Sequence, residues 1–370
     1  SVPPASGEAS RQCISEQGRL LPLEEAMNSK KEQNPRPPHS KPKRNASRPR
    51  GSLAKDRCRA KERSTAMDDS ISKVLAFVVF IGLGWALRRF GILKPEAFHA
   101  ISGLVMCVTL PCVTMTGLNG ISIGPDLIGI AAVGFSFNVI FLLIAIALTW
   151  RARDPDERDF TRLNLSGFSV GPFAVPYVQA FLPPVGLLTT LVFDVGNSIM
   201  SAGGTYACIA GLRERTSPAK MVKVVFHRLA HSGPILAFAF MVVLCLSGVR
   251  LPDSVIASTK IGAAANTFLC MIMIGESINL SVTFKELVSI LKILAARLVV
   301  QILLALLVWH VLPFSIEAKQ ALVLVCFSPV PAMNLIYTNA LRGDLAKAAN
   351  LSSLSVATAI LSMSVVIQLF

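Results

Sequence analysis

The residues with most capacity for chemistry are polar side chains placed beside prolines inside otherwise apolar runs. Pro176 follows Ser70 by 106 residues and Pro331 follows Arg228 by 103, matching places in two hydrophobic stretches of equal length, 70–212 and 228–370. A proline inside an apolar helix removes one N–H donor and crowds the preceding turn, so the helix breaks and leaves peptide groups unpaired. Lipid cannot satisfy such groups, and breaks survive where they line a protein-enclosed cavity. Around the two prolines stand Ser169, Gly171, Ser328, Pro329 and Asn334. A half-helix starting at such a break aims N–H groups and roughly +0.5 of an elementary charge into the cavity, which suits a small organic anion. Ordinary kinks are the competing explanation for either proline alone. The matched pair favours the substrate site of a secondary transporter near mid-membrane.

A second set of polar residues lies further along the same stretches: Asp194, Asn197 and Glu276. An aspartate at the centre of a membrane helix costs roughly 2.5 to 3.5 kcal/mol on insertion scales, so Asp194 is expected to face the bundle interior or water. There it would support the site with Asn197 or hold a coupling cation, H+ or Na+; a hydrogen bond between helices is the competing role. Glu276, near a span end and within reach of the interface, is grouped with them.

Enzymatic readings find little support. Gly167-Phe168-Ser169-Val170-Gly171 fits the G-x-S-x-G nucleophile elbow, but that serine needs a strand-turn-helix setting and His and Asp partners. His227 and His231 are the nearest candidate bases and fall in a loop. Walker loops, zinc boxes and Gly-rich dinucleotide fingerprints are absent, so no catalytic residue, metal or cofactor is expected. Eight cysteines show no C-x-x-C pair. Cys107, Cys112, Cys208, Cys245, Cys270 and Cys326 fall in apolar runs and read as small buried side chains.

The elements that must position these residues are membrane helices. Apolar residues make up 52% of the chain and charged residues 16%, with mean hydropathy +0.58, which points to the bilayer as solvent. The net charge of +14 does not imply nucleic acid, because the first 66 residues hold 15 Lys and Arg against 7 Asp and Glu. That segment, 1–66, reads as a disordered basic tail: a targeting segment, a solvated tail near anionic lipid, or sequence upstream of a start at Met67.

Runs of roughly twenty apolar residues, the length that crosses about 30 Å of hydrocarbon, fall at 70–88, 97–117, 127–150, 163–182, 186–211, 231–250, 258–278, 288–312, 318–340 and 345–370. The fold class is therefore all-α and integral to the membrane, multi-pass, with ten spans. Five lie in a first repeat, 67–212, and five in a second, 231–370, joined by a cytoplasmic linker, 213–230. An odd number of spans per repeat inverts the second relative to the first, so the broken fourth and ninth spans can cross. With the N-terminus outside, 15 basic residues fall in cytoplasmic loops and Lys292 and Arg297 on the same side, against Lys73, Arg250, Lys260 and Lys319 outside, as the positive-inside rule requires.

From Met67 to Phe370 the chain resembles the auxin efflux carrier family, which includes organic-anion carriers. The resemblance rests on Arg88-Arg89-Phe90-Gly91-Ile92-Leu93-Lys94-Pro95-Glu96 after the first span, Leu110-Pro111, the stretch Gly171 to Pro176, and Val192-Phe193-Asp194-Val195-Gly196-Asn197. It extends through Ser247-Gly248-Val249-Arg250-Leu251-Pro252 and Ser328-Pro329-Val330-Pro331-Ala332-Met333-Asn334. It implies crossing fourth and ninth spans at the substrate site, elevator-like alternating access and a homodimer. Ser169 stands where the family often has Asn, and Phe268 where it often has Pro.

The function expected is secondary transport of a small organic anion, auxin-like or a dicarboxylate, in the plasma membrane or endoplasmic reticulum. A sodium-coupled carrier of the bile-acid-symporter type and a non-transporting ligand sensor are the alternatives.

Overall fold

Helices follow the apolar runs, and their ends follow local capping chemistry. The computed structural model describes residues 72–94, 97–121, 126–214, 223, 226–227, 229–278 and 283–370, and no strand occurs among them. The basic tail, and most of the linker, lie outside the described residues. Helix α1 runs over 72–89, α2 over Ala97–Leu118 and α3 over Asp126–Leu148. Asp154 caps α4, Pro155–Leu165, by accepting from the Asp156 N–H, with Pro155 in the first turn where no donor is needed.

After α4 the chain leaves the helix over 166–169. It re-enters through a π turn, Val170–Ala174, that runs into Val175–Phe181; together these form α5. Next come α6, Pro184–Arg213, α7, Gly233–Leu246, and α8, Asp253–Ser277. Thr283 and Glu286 form a capping box at the start of α9, Phe284–His310. Helix α10, Ile316–Cys326, ends at a second break over 327–332. Met333–Ala340 is α11 and Leu345–Leu369 is α12, the latter capped by Asp344.

Helices α2, α3, α6, α8, α9 and α12 are each long and apolar enough to cross a membrane. The protein is thus all-helical and membrane-embedded. Its helices pack as two groups. On one side α7 and α8 each pack on α2, and on the other α3 packs on α6, α6 on α10, and α10 on α9. Close approach within each group depends on missing side chains: a Cβ on Gly196 of α6 would collide with the Ala131 carbonyl of α3, and one on Gly275 of α8 with the Ile81 carbonyl of α1. The groups meet more thinly, through α2 against α6 and α8 against α5 and through α1, where Phe77 packs on Tyr177 and Phe181 of α5 and Lys73 Nζ donates to the Ala180 carbonyl at 3.2 Å.

Three sequence expectations change here. The fourth apolar segment begins near Pro155 rather than 163: its early charges are paired, Glu157 with Lys347 at 2.6 Å and Asp159 with Arg162 and Arg213 at 3.6 and 3.5 Å. The break lies at 166–169 and not at Pro176, which sits in the first turn of Val175–Phe181. The π turn, closed by the Val175 N–H on the Val170 carbonyl, leaves room for the proline ring, so the helix continues through it. Finally, of the six cysteines among the described residues only Cys270 and Cys326 are buried, while Cys107 and Cys208 are exposed, because an apolar helix can turn small side chains outward as well as inward.

Candidate functional site

Both breaks owe their extended course to Gly and Pro. Gly167 has φ +93, a left-handed value that non-glycine residues adopt at a cost. Pro329 and Pro331 lack N–H groups and push Ser328 and Val330 away from helical backbone. The two extended segments lie against each other. The Ser169 N–H donates to the Pro329 carbonyl at 3.0 Å, and a Cβ on Gly167 would stand 2.6 Å from Pro331 Cγ.

Breaking two helices in an apolar interior releases carbonyls that need donors, and side chains from three other helices supply them. Asn334 Nδ2 donates to the Leu163 and Ser166 carbonyls at 2.8 and 3.2 Å. Arg297 donates to Leu165 at 2.7 Å, Gly167 at 2.6 Å, Ser328 at 3.0 Å and Pro329 at 3.3 Å. Gln301, one turn further along α9, also donates to Ser328, at 3.0 Å. Asn197 Nδ2 donates to the Phe168 carbonyl at 3.0 Å and to Asp194 Oδ1 at 2.8 Å. Asn138 Nδ2 in turn donates to Asn197 Oδ1 at 3.1 Å. On the second break the Val330 N–H donates to Ser355 Oγ at 3.2 Å.

Beside this crossing lies a cavity of about 510 Å³. Its floor is Ser169, Val170, Gly171 and Pro172 from the first break with Pro331, Ala332 and Met333 from the second. Asp194 and Asn197 line one wall, and Met106, Leu110 and Met273 line the opposite wall, contributed by α2 and α8. The cavity therefore sits between the two helix groups. Neither Val170 nor Met333 begins under a side-chain cap; at the second half-helix the Asn334 and Leu335 N–H groups donate to the Pro331 and Ala332 carbonyls at 3.0 and 3.2 Å, so it is the first turn from Val170 that offers N–H groups to water or a ligand.

The structure brings Ser169, Gly171, Pro331, Asp194 and Asn197 together around the cavity. Pro329 and Asn334 lie behind its floor, holding backbone. Ser328 is fully buried with its hydroxyl unpartnered and is not part of the wall. Pro176 is buried within α5 and is also absent from the wall. Glu276 is elsewhere, at the end of α8, with Arg88 3.8 Å from its carboxylate. Asp194, Ser169 and the two histidines share the cavity; Asp194 Oδ1 is held by Asn197, and His231 Nδ1 contacts the His227 carbonyl at 2.7 Å.

Arg297, Gln301 and Asn138 are parts of the site that sequence reasoning missed. The loop-charge bias groups Arg297 with the basic cytoplasmic flank, but it stands at the middle of the 27-residue α9 and is only 2% exposed. The signal was available: Arg297 and Gln301 are four apart in an apolar run, on one helix face. No family model matches the chain, and no curated protein matches its sequence.

Proposed function

We propose that the chain is a secondary carrier that moves a small organic anion across a membrane by alternating access. In this reading α4 with α5, and α10 with α11, are the broken fourth and ninth of ten spans, set in two inverted five-span repeats. The observation that carries it is the backbone bond from Ser169 to Pro329, which joins two helix breaks at the floor of a cavity. Unwound backbone in an apolar protein is costly unless its polar groups are paired or line a watered cavity, and here a set of buried amides and a guanidinium is committed to keeping it.

Other features agree. The uncapped N-terminus of the half-helix that starts at Val170 faces the cavity, as an anionic group needs. The thin contact between the helix groups would let one slide against the other, in the manner of an elevator. Motif order and spacing resemble the auxin efflux carrier family, so auxin-like aromatic acids and dicarboxylates are the first substrates to try, in a plasma-membrane or endoplasmic-reticulum setting, with a homodimer as the assembly to test.

Coupling to a cation, as in the bile-acid-symporter type, has one specific observation in its favour. Asn138, Asn197 and Asp194 form a buried polar chain ending in a carboxylate at the cavity. The deciding experiment is uptake of labelled organic acids into proteoliposomes holding the purified chain, with Asn334→Ala and Asp194→Asn beside wild type. Flux that falls in these variants supports the site, and unchanged flux in both removes it. Acceleration by sodium favours the symporter type. Saturable binding without flux identifies a sensor.

A further inference from the structure

Arg297 carries more charge than its structural task requires. Asn334, Asn197 and Gln301 satisfy liberated carbonyls of the same two breaks with neutral amides. A guanidinium does similar work on four carbonyls, but it places a full positive charge inside an apolar bundle, where charge is expensive. Among the described residues no carboxylate lies within 4 Å of it to form an ion pair. Its other neighbours are ring faces, with Phe141 at 5.1 Å and Phe168 at 5.7 Å from the guanidinium carbon. Aromatic faces and carbonyl oxygens stabilise a cation without neutralising it. The charge is therefore conserved at a desolvated position and can act beyond its contacts.

Those contacts lie one layer behind the cavity. Phe168, whose ring covers the guanidinium, is itself part of the cavity wall, as are Ser169 and Pro331, each two residues beyond one whose carbonyl Arg297 binds. We propose that Arg297 sets the charge selectivity of the cavity. It holds the two breaks crossed and, through Phe168, gives the floor a fixed positive potential that admits anions and repels cations. This deepens the carrier reading by naming the residue that defines the substrate's charge, and it rests on that reading for its biological meaning. Arg297 is a positioning and selectivity residue that need not touch the substrate.

The test reads the potential directly, with no need to know the substrate. In the full chain with its native cysteines replaced, Ser198→Cys puts a thiol on the cavity wall. Its modification rates by an anionic and a cationic methanethiosulfonate give a ratio that reports the local potential. Arg297→Met is expected to lower the anionic-to-cationic ratio about tenfold, the scale of a unit charge one side chain away at an effective dielectric constant of about 20. Arg297→Lys, which keeps the charge but not the four-carbonyl fork, is expected to keep the ratio while losing thermal stability. Should Arg297→Met fail to fold, Gln301→Glu places a carboxylate one turn away and is expected to shift the ratio the same way. An unchanged ratio in a folded Arg297→Met or Gln301→Glu protein overturns the proposal. A wild-type chain that moves no organic acid yet shows the ratio shift would instead defeat the carrier reading and leave the selectivity assignment standing.

Discussion

Gly167 and Pro331 pack so closely that a single methyl on Gly167 would stand 2.6 Å from the proline Cγ. The same glycine has φ +93, so alanine there meets both a strained backbone and a collision. Each effect is worth about 1–3 kcal/mol. Gly167→Ala is expected to lower the thermal transition by several degrees and abolish uptake. Gly103→Ala, in α2 with nothing within 4 Å of the added methyl, should be neutral or slightly stabilising. Equal transitions for the two variants in detergent would show that the crossing is looser than described.

Asn334 illustrates a different kind of dependence, since one side-chain amide serves two carbonyls at the end of α4, those of Leu163 and Ser166, at 2.8 and 3.2 Å. Asn334→Ala leaves both acceptors buried without a donor, at a cost of about 1–3 kcal/mol each. Asn334→Asp is expected to be worse, because it turns acceptors toward acceptors. Maximal uptake rate should fall more than apparent affinity, as the residue lies behind the cavity floor. Initial-rate measurements over a range of substrate concentration separate the two.

The extent of what could be read from the chain follows from which partners a residue uses. Helix positions were legible because lipid and core both demand long apolar runs, and Asn334 was legible as a polar residue next to Pro331. The first break was legible only in part, because Pro176 is the expected breaker while Gly167, nine residues earlier, has the positive φ that follows the end of the helix. The early turns of the fourth segment looked like loop, since Glu157 and Asp159 find their cations at Lys347 and Arg213, distant in sequence. Arg297 was legible only as half of a polar pair with Gln301 on one helix face; its acceptors are backbone carbonyls, which no side-chain pattern reveals.

Asp194 offers a prediction about energy coupling. One carboxylate oxygen is held by Asn197, and the residue lines a cavity proposed to take an anion. A carboxylate and an organic anion in the same small space repel unless a cation accompanies them. Asp194→Asn keeps an acceptor for Asn197 and should preserve folding. Uptake by wild type is expected to be stimulated by an inward gradient of H+ or Na+, and the variant should lose that stimulation while retaining gradient-independent exchange. A gradient response that survives in Asp194→Asn would move the coupling site elsewhere.

Glu276 should separate a buried acid that serves the scaffold from one that serves transport. Its side chain is 1% exposed, and Arg88 both approaches the carboxylate and donates to the Glu276 carbonyl, all within the α1 and α8 pair and away from the cavity. Removing one partner of a largely desolvated pair leaves the other uncompensated, although Arg88 is 32% exposed and water can take up much of its charge. Glu276→Gln is therefore expected to cost about 1 kcal/mol or less, visible as a small drop in the thermal transition, with uptake kept within about twofold and its ion dependence unchanged. A loss of ion dependence in Glu276→Gln, with Asp194→Asn behaving as wild type, would reverse the roles assigned to these two acids.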